Sequence, residues 1–113
     1  MTTTAASVWP DWRTVVQVRE EGPDVTLLHE SAELKVVLVA LAAGQGLPEH
    51  PGPAACFHIL EGEGVVLVDG DEIRVSAGAT AVVPTGSIRA VRATTSLVFL
   101  GNLGDPGAEN GPH

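Results

Sequence analysis

A single cysteine, Cys56, in 113 residues leaves no partner for an intrachain disulfide. A chain without that staple suits a reducing compartment, and a cytoplasmic location is expected. Basic residues are scarce as well. Six Lys and Arg stand against 14 Asp and Glu, for a net charge of −8. Nucleic acids need a basic footprint to neutralise their phosphates, so this balance argues against them as partners. The same deficit argues against an anionic membrane surface, and the acidity itself serves solubility. Long apolar runs are missing too: the longest, Val36 to Ala43, falls far short of the ~20 residues of a spanning helix. The opening stretch MTTTAASVWPDW has neither a basic start nor an apolar core, so no secretory signal is expected there. No window sustains a capped 3.6-residue apolar period, which removes the usual sign of an amphipathic helix.

What remains is a β pattern. Apolar residues make up 44% of the chain and charged residues 18%, enough for one globular core in one domain. Short β-branched runs alternate with turn residues. The expected strands are Val15–Arg19, Val25–His29, Leu34–Leu41, Ala55–Leu60, Val65–Asp69, Glu72–Val75, Thr80–Val83, Ile88–Ala93 and Ser96–Gly101. Such spacing points to an all-β sandwich or barrel. Asp69-Gly70, between Leu67-Val68 and Glu72-Ile73, has the chemistry of a tight hairpin turn. Gly44, Gly46, Pro48, Pro51, Gly52 and Pro53 predict a stiff loop before the fourth strand. The domain plan is an N-terminal arm over 1–13, one barrel over 14–103 and a tail over 104–113, with both ends expected to be loose. His113, in that tail, has no companion in sequence and is given no role.

Several strands are apolar on both faces. In Leu34–Leu41 one row carries Leu34, Val36, Leu38 and Ala40, and the other Lys35, Val37, Val39 and Leu41. A sheet with one solvated face alternates instead, so something must cover the second face. A second subunit is one candidate, giving a homodimer. The N-terminal segment with Trp9 and Trp12, folded back as a lid, is the other.

The stretch HILEGEGVVLVDGDEIRVSAGATAVVPTG resembles the centre of the cupin family. Gly78, five residues, then Pro84-Thr85-Gly86 matches the family's second motif, and Gly62 closes the first. The resemblance covers residues 44–101 and implies a double-stranded β-helix, a jelly-roll barrel of the RmlC-like type. It also implies where a metal would sit. The family's usual site has two histidines and a glutamate from the first motif and a third histidine from the second. In this sequence those positions read Pro48, His50, Ala55 and Arg89. Proline and alanine side chains have no lone pair to give, and a guanidinium has none free. A tightly held transition metal needs three or four protein ligands. No cofactor is therefore expected. A divalent metal is disfavoured, with His50, and His58 as a second ligand, left to hold one.

Strand parity places Ala55, Phe57 and Ile59 on one face and Cys56, His58 and Leu60 on the other. If the first row faces the barrel interior, Phe57 lines it and His58 points away. Arg89 is expected to point inward, with Ser87 on the same face. An inward guanidinium is costly without an acceptor. It either grips a ligand anion in a bidentate manner, or finds an internal partner such as Glu49, or snorkels to solvent. His50 is the candidate general base, or a loop histidine bonded to backbone. His29 is expected on a strand surface, and Glu61 and Glu63 as solvated turn charges.

Three functions follow. One is a metal-independent protein that binds a small, anionic or mixed apolar molecule in the barrel, with Arg89, Phe57 and Ser87 as ligand contacts. Another is a metal-free isomerase, epimerase or cyclase with His50 as base and Arg89 as clamp. The third is a weak metallo-cupin using His50 with His58.

Overall fold

The computed structural model describes residues 6–104. A short 3-10 helix, Trp12–Thr14, is followed by nine strands: β1 (Asp24–Glu30), β2 (Lys35–Leu41), β3 (Gly46–Pro51), β4 (Ala55–Glu61), β5 (Glu63–Val68), β6 (Asp71–Ser76), β7 (Thr80–Val83), β8 (Ile88–Ala93) and β9 (Leu97–Leu103). They form a five-stranded sheet in the order β1-β2-β9-β4-β7 and a four-stranded sheet in the order β3-β8-β5-β6. Every strand pair is antiparallel. The two sheets enclose one core, built from alternate residues such as Val39 and Leu41 of β2, Phe57 and Ile59 of β4, and Leu97 and Phe99 of β9. This is the jelly-roll barrel expected of an all-β chain with these motifs.

The turns sit where glycine chemistry puts them. Asp69 and Gly70 both take positive φ, 50° and 88°, which closes the two-residue hairpin between β5 and β6 with the right twist. Gly62 turns β4 into β5 at φ 86°, and a Cβ there would lie 1.7 Å from the Ser96 carbonyl oxygen. No side chain fits at that crossing, so the Leu-Glu-Gly turn is a packing requirement.

Two expectations differ. Val15–Arg19 is not a strand. The Val16 N–H donates to the Trp12 carbonyl at 3.2 Å and the Gln17 N–H to the Asp24 carboxylate at 3.0 Å, so these donors are used locally. β-propensity yields here to the burial of Val16. Conversely, the loop expected before the fourth strand contains β3. Pro48 and Pro51 are tolerated because β3 is an edge strand, paired only with β8 and with its register broken between Leu47 and His50.

The doubly apolar β2 is also explained. Val37, Val39 and Leu41 face the barrel core, while Leu38 and Ala40 join Val98 of β9 in a second cluster outside it. Val16 is fully buried there, and Trp12 and Val15 pack against it. The N-terminal segment thus folds back over the outer face of the five-stranded sheet as far as Val16. Burying Val16 contributes roughly 1.5–3 kcal/mol to holding it down. The cover is partial: Trp9 is 43% and Val8 76% exposed. Of the expected loose tail, only Gly104 lies within the described residues, and its N–H donates to the Ala54 carbonyl at 2.8 Å. Residues 105–113, His113 among them, lie outside the described residues.

Candidate functional site

A cavity of about 190 Å³ opens into the barrel at the seam between the edge strands β1 and β3. Val25 of β1 and Leu47 of β3 flank it, and Val37, Val39, Phe57 and Phe99 form its inner wall. The two phenyl rings meet edge to face with centroids 5.5 Å apart, a geometry that favours the pair beyond its burial. Parity explains the wall: each contributing strand sends every second side chain inward. Among the described residues, three polar side chains reach the cavity, Lys35, His50 and Arg89.

Arg89 is the most constrained of them. It is 1% exposed, so it does not snorkel. Its Nε donates to the Ser87 carbonyl at 3.0 Å and its Nη1 to the Pro53 carbonyl at 2.7 Å. Nη2 donates to the carbonyls of Gly52 at 3.1 Å and Pro84 at 3.0 Å, and to Ser87 Oγ at 3.1 Å. The guanidinium therefore clamps the β3–β4 loop to the turn between β7 and β8. Backbone oxygens, rather than Glu49, make these bonds. Ser87 is buried too, and its hydroxyl donates to the Pro84 carbonyl at 2.7 Å while accepting from Arg89. It supports the clamp and is not part of the cavity wall.

His50 stands opposite Arg89 in the β3–β8 ladder, at the exposed rim. Its Nδ1 lies 2.9 Å from the Pro48 carbonyl. A carbonyl only accepts, so in the neutral ring the proton sits on Nδ1 and the lone pair on Nε2. His58 lies on the five-stranded sheet and points away from the barrel. On β4 the inward row is Ala55, Phe57 and Ile59, and the outward row holds Cys56, His58 and Leu60. His58 Nδ1 is 2.8 Å from Thr80 Oγ1, bonded to the neighbouring β7. The fold brings His50, Phe57 and Arg89 together and leaves His58 apart.

Do these residues fit the metal of the fold family? Ala55 is buried in the core and Pro48 is exposed, and neither side chain can ligate. The fourth position holds a guanidinium already bonded to carbonyls. Among the described residues, no three His, Cys, Asp or Glu side chains gather as a metal would require. The donor set at the family's positions does not fit a metal.

Lys35 escaped sequence reasoning. Its signal was present: the only lysine of the chain sits at the head of an inward row, Lys35-Val37-Val39, that is otherwise apolar. What hid it was the uncertainty over which of two apolar rows faced the interior.

Comparison with known proteins agrees with this architecture. Residues 35–100 match the family described as the cupin domain. The chain belongs to the cupin family. A conserved protein of unknown function from Streptococcus pyogenes is similar at 26% identity, covering 92% of this chain and 91% of its own, with a TM-score of 0.81. An RmlC-like cupin from Desulfovibrio desulfuricans is similar at 28% identity, over 93% and 99% of the two chains, with a TM-score of 0.74. The salicylate 1,2-dioxygenase of Pseudoaminobacter salicylatoxidans shares the fold at 19% identity and a TM-score of 0.70, over 80% of this chain and 29% of that one. No curated protein matches by sequence. Among the described residues no helix is long and apolar enough to cross a membrane.

Proposed function

We propose that this cupin binds a small molecule in its barrel without a metal, as a binding or accessory protein of the cytoplasm. One observation carries the reading. The cavity persists as a walled apolar space, while the positions that hold a metal in the family carry Pro48, His50, Ala55 and Arg89. Phe57 supplies wall, and Arg89, steadied by Ser87, supplies frame and positive potential. Methyl NMR of Val37, Val39 and Leu47 tests this. Shifts on addition of small organic acids or alcohols, unchanged by chelator, support it. Silence from every probe would end it.

A second reading, a metal-free isomerase, epimerase or cyclase, is favoured by the His50 geometry. The Nδ1 proton directed at the Pro48 carbonyl leaves Nε2 as the basic atom, as a general base requires. Unchanged turnover of a true substrate by His50→Ala would remove it. The metallo-cupin reading would need His50 and His58 together, but His50 stands on β3 of the four-stranded sheet beside the cavity, while His58 points outward from β4 of the five-stranded sheet.

The same reading includes a homodimer through the outer face of the five-stranded sheet. There a groove of about 640 Å³ runs between the N-terminal segment and the sheet, floored by Leu28, Val36, Leu38, Leu60 and Leu100. Sedimentation at micromolar concentration showing only monomer would refute this. The net charge of −8 argues against nucleic acid and anionic membranes as partners.

A further inference from the structure

Charge is distributed unevenly around the barrel cavity. The chain has more than two acidic residues for each basic one, 14 against six. Yet no carboxylate among the described residues lines the cavity, while two of the six cations do, Lys35 and Arg89. A surface that reflected composition alone would show the reverse. Three other cations are matched with acids: Arg13 with Asp11, Arg19 with Asp24 and Arg92 with Glu72. Arg89 spends its donors on backbone oxygens. Lys35 is different. Among the described residues its ammonium makes no hydrogen bond or ion pair, although Glu30 stands directly across from it in the β1–β2 ladder.

We infer that Lys35 is the ligand-reading cation of the barrel, and that the ligand is a small monocarboxylate with an apolar body. This rests on the cavity being a ligand site, as proposed above. Three features set the class. The volume of about 190 Å³ equals roughly six water volumes, room for a body of about six to nine non-hydrogen atoms. The wall beside Lys35 is Val37, Val39, Phe57 and Phe99, which solvates hydrocarbon and not a second charge. A lysine is a compact point charge that meets a carboxylate without needing the planar fork of an arginine. A dianion such as phosphate would enter against the field of a chain at −8 with a single mobile donor to receive it.

The test uses the full-length protein with benzoate and hexanoate as probes, benzyl alcohol and hexanol as their neutral counterparts, and inorganic phosphate. Binding is read by methyl NMR of the cavity residues and by calorimetry. Ligands this small should bind at about millimolar strength. The acids are expected to bind more tightly than the alcohols, and added salt should weaken only the acids. Lys35→Met should weaken the acids about two- to fivefold and leave the alcohols unchanged, while Lys35→Arg should keep most acid binding. Arg74→Met, at an exposed cation on β6 that does not line the cavity, should change nothing. Lys35 is exposed at the start of β2, so these variants should keep the parent melting temperature. Equal loss of acids and alcohols in Lys35→Met, or acid binding untouched by it, would overturn the assignment while leaving the cavity as a ligand site. Phosphate binding better than benzoate would overturn the ligand class. No response to acids or alcohols would overturn the cavity reading itself.

Discussion

Arg89 offers a test in which two roles predict opposite signs. A buried charge kept only to receive a ligand has no acceptors of its own, so its removal from ligand-free protein is neutral or stabilising. A charge built into a satisfied network behaves otherwise. Arg89 donates to four backbone carbonyls and one hydroxyl, in two chain segments that lie 31 or more residues apart (Gly52–Pro53 and Pro84–Ser87). Truncation leaves those acceptors without donors, and each group that stays dry costs about 1–3 kcal/mol. Several of the acceptors are only partly buried, and water entering the vacated space recovers part of that. The net loss for Arg89→Ala should be about 3–5 kcal/mol, since several carbonyls lose a charged donor and only part of that is recovered by water. For a domain of this size that lowers the melting temperature by at least ~12 °C. Arg89→Lys keeps the charge but cannot span the fork, so it should fall between the two. Urea denaturation followed by circular dichroism measures the difference, with an unchanged m value showing that the unfolding reaction is the same. A loss under ~1 kcal/mol, or a gain, would refute the clamp and return Arg89 to the role of a ligand anchor.

Other consequences are independent of this one. Gly62→Ala should cost more than ~4 kcal/mol and yield little folded protein, because its Cβ would collide with the Ser96 carbonyl. Gly70→Ala, at almost the same φ but with open space around it, should cost only about 1 kcal/mol; equal losses in thermal melts would refute the distinction. Trp12→Ala should destabilise by about 2 kcal/mol, since the indole packs on the outer cluster, and should leave ligand shifts in the barrel unchanged. Asp11 should titrate below its usual value. The Arg13 backbone N–H is the main cause, with the Arg13 side chain assisting. A lowered carboxyl contributes stability that is present above the ordinary carboxylate range and lost as pH falls through the lowered value. Carboxyl NMR that finds Asp11 at or above its ordinary value would contradict the Arg13–Asp11 hydrogen bonds.

The legible part of this protein lay in its turns and its alternation. Gly62, Gly78, Pro84 and Gly86 mark turns whose backbone geometry few other residues tolerate, and they carry the resemblance to the cupin family that implied the barrel. The Asp69-Gly70 hairpin was readable for the same reason. So was the inward row of β4, because period-two alternation ties Ala55 to Phe57. Val15–Arg19 and β3 were misread because local rules were overruled from a distance. Val16 gains more from the outer face of β2 and β9 than from a ladder, and two prolines survive in β3 because only β8 pairs with it.

The sequence by itself determined the all-β architecture and which residue types stand where the family places its metal ligands, since both depend on which residues stand at which spacing. A proline and an alanine cannot ligate wherever the chain folds. The partners of Arg89, the face on which Lys35 stands and the separation of His50 from His58 were decided by tertiary structure. The acceptors around Arg89 are carbonyls, which every residue carries, so no sequence pattern distinguishes the four that surround it. Only the meeting of the β3–β4 loop with the β7–β8 turn selects them. That meeting makes a clamp of the position where the family has its third histidine, and leaves an exposed lysine at the mouth of the barrel.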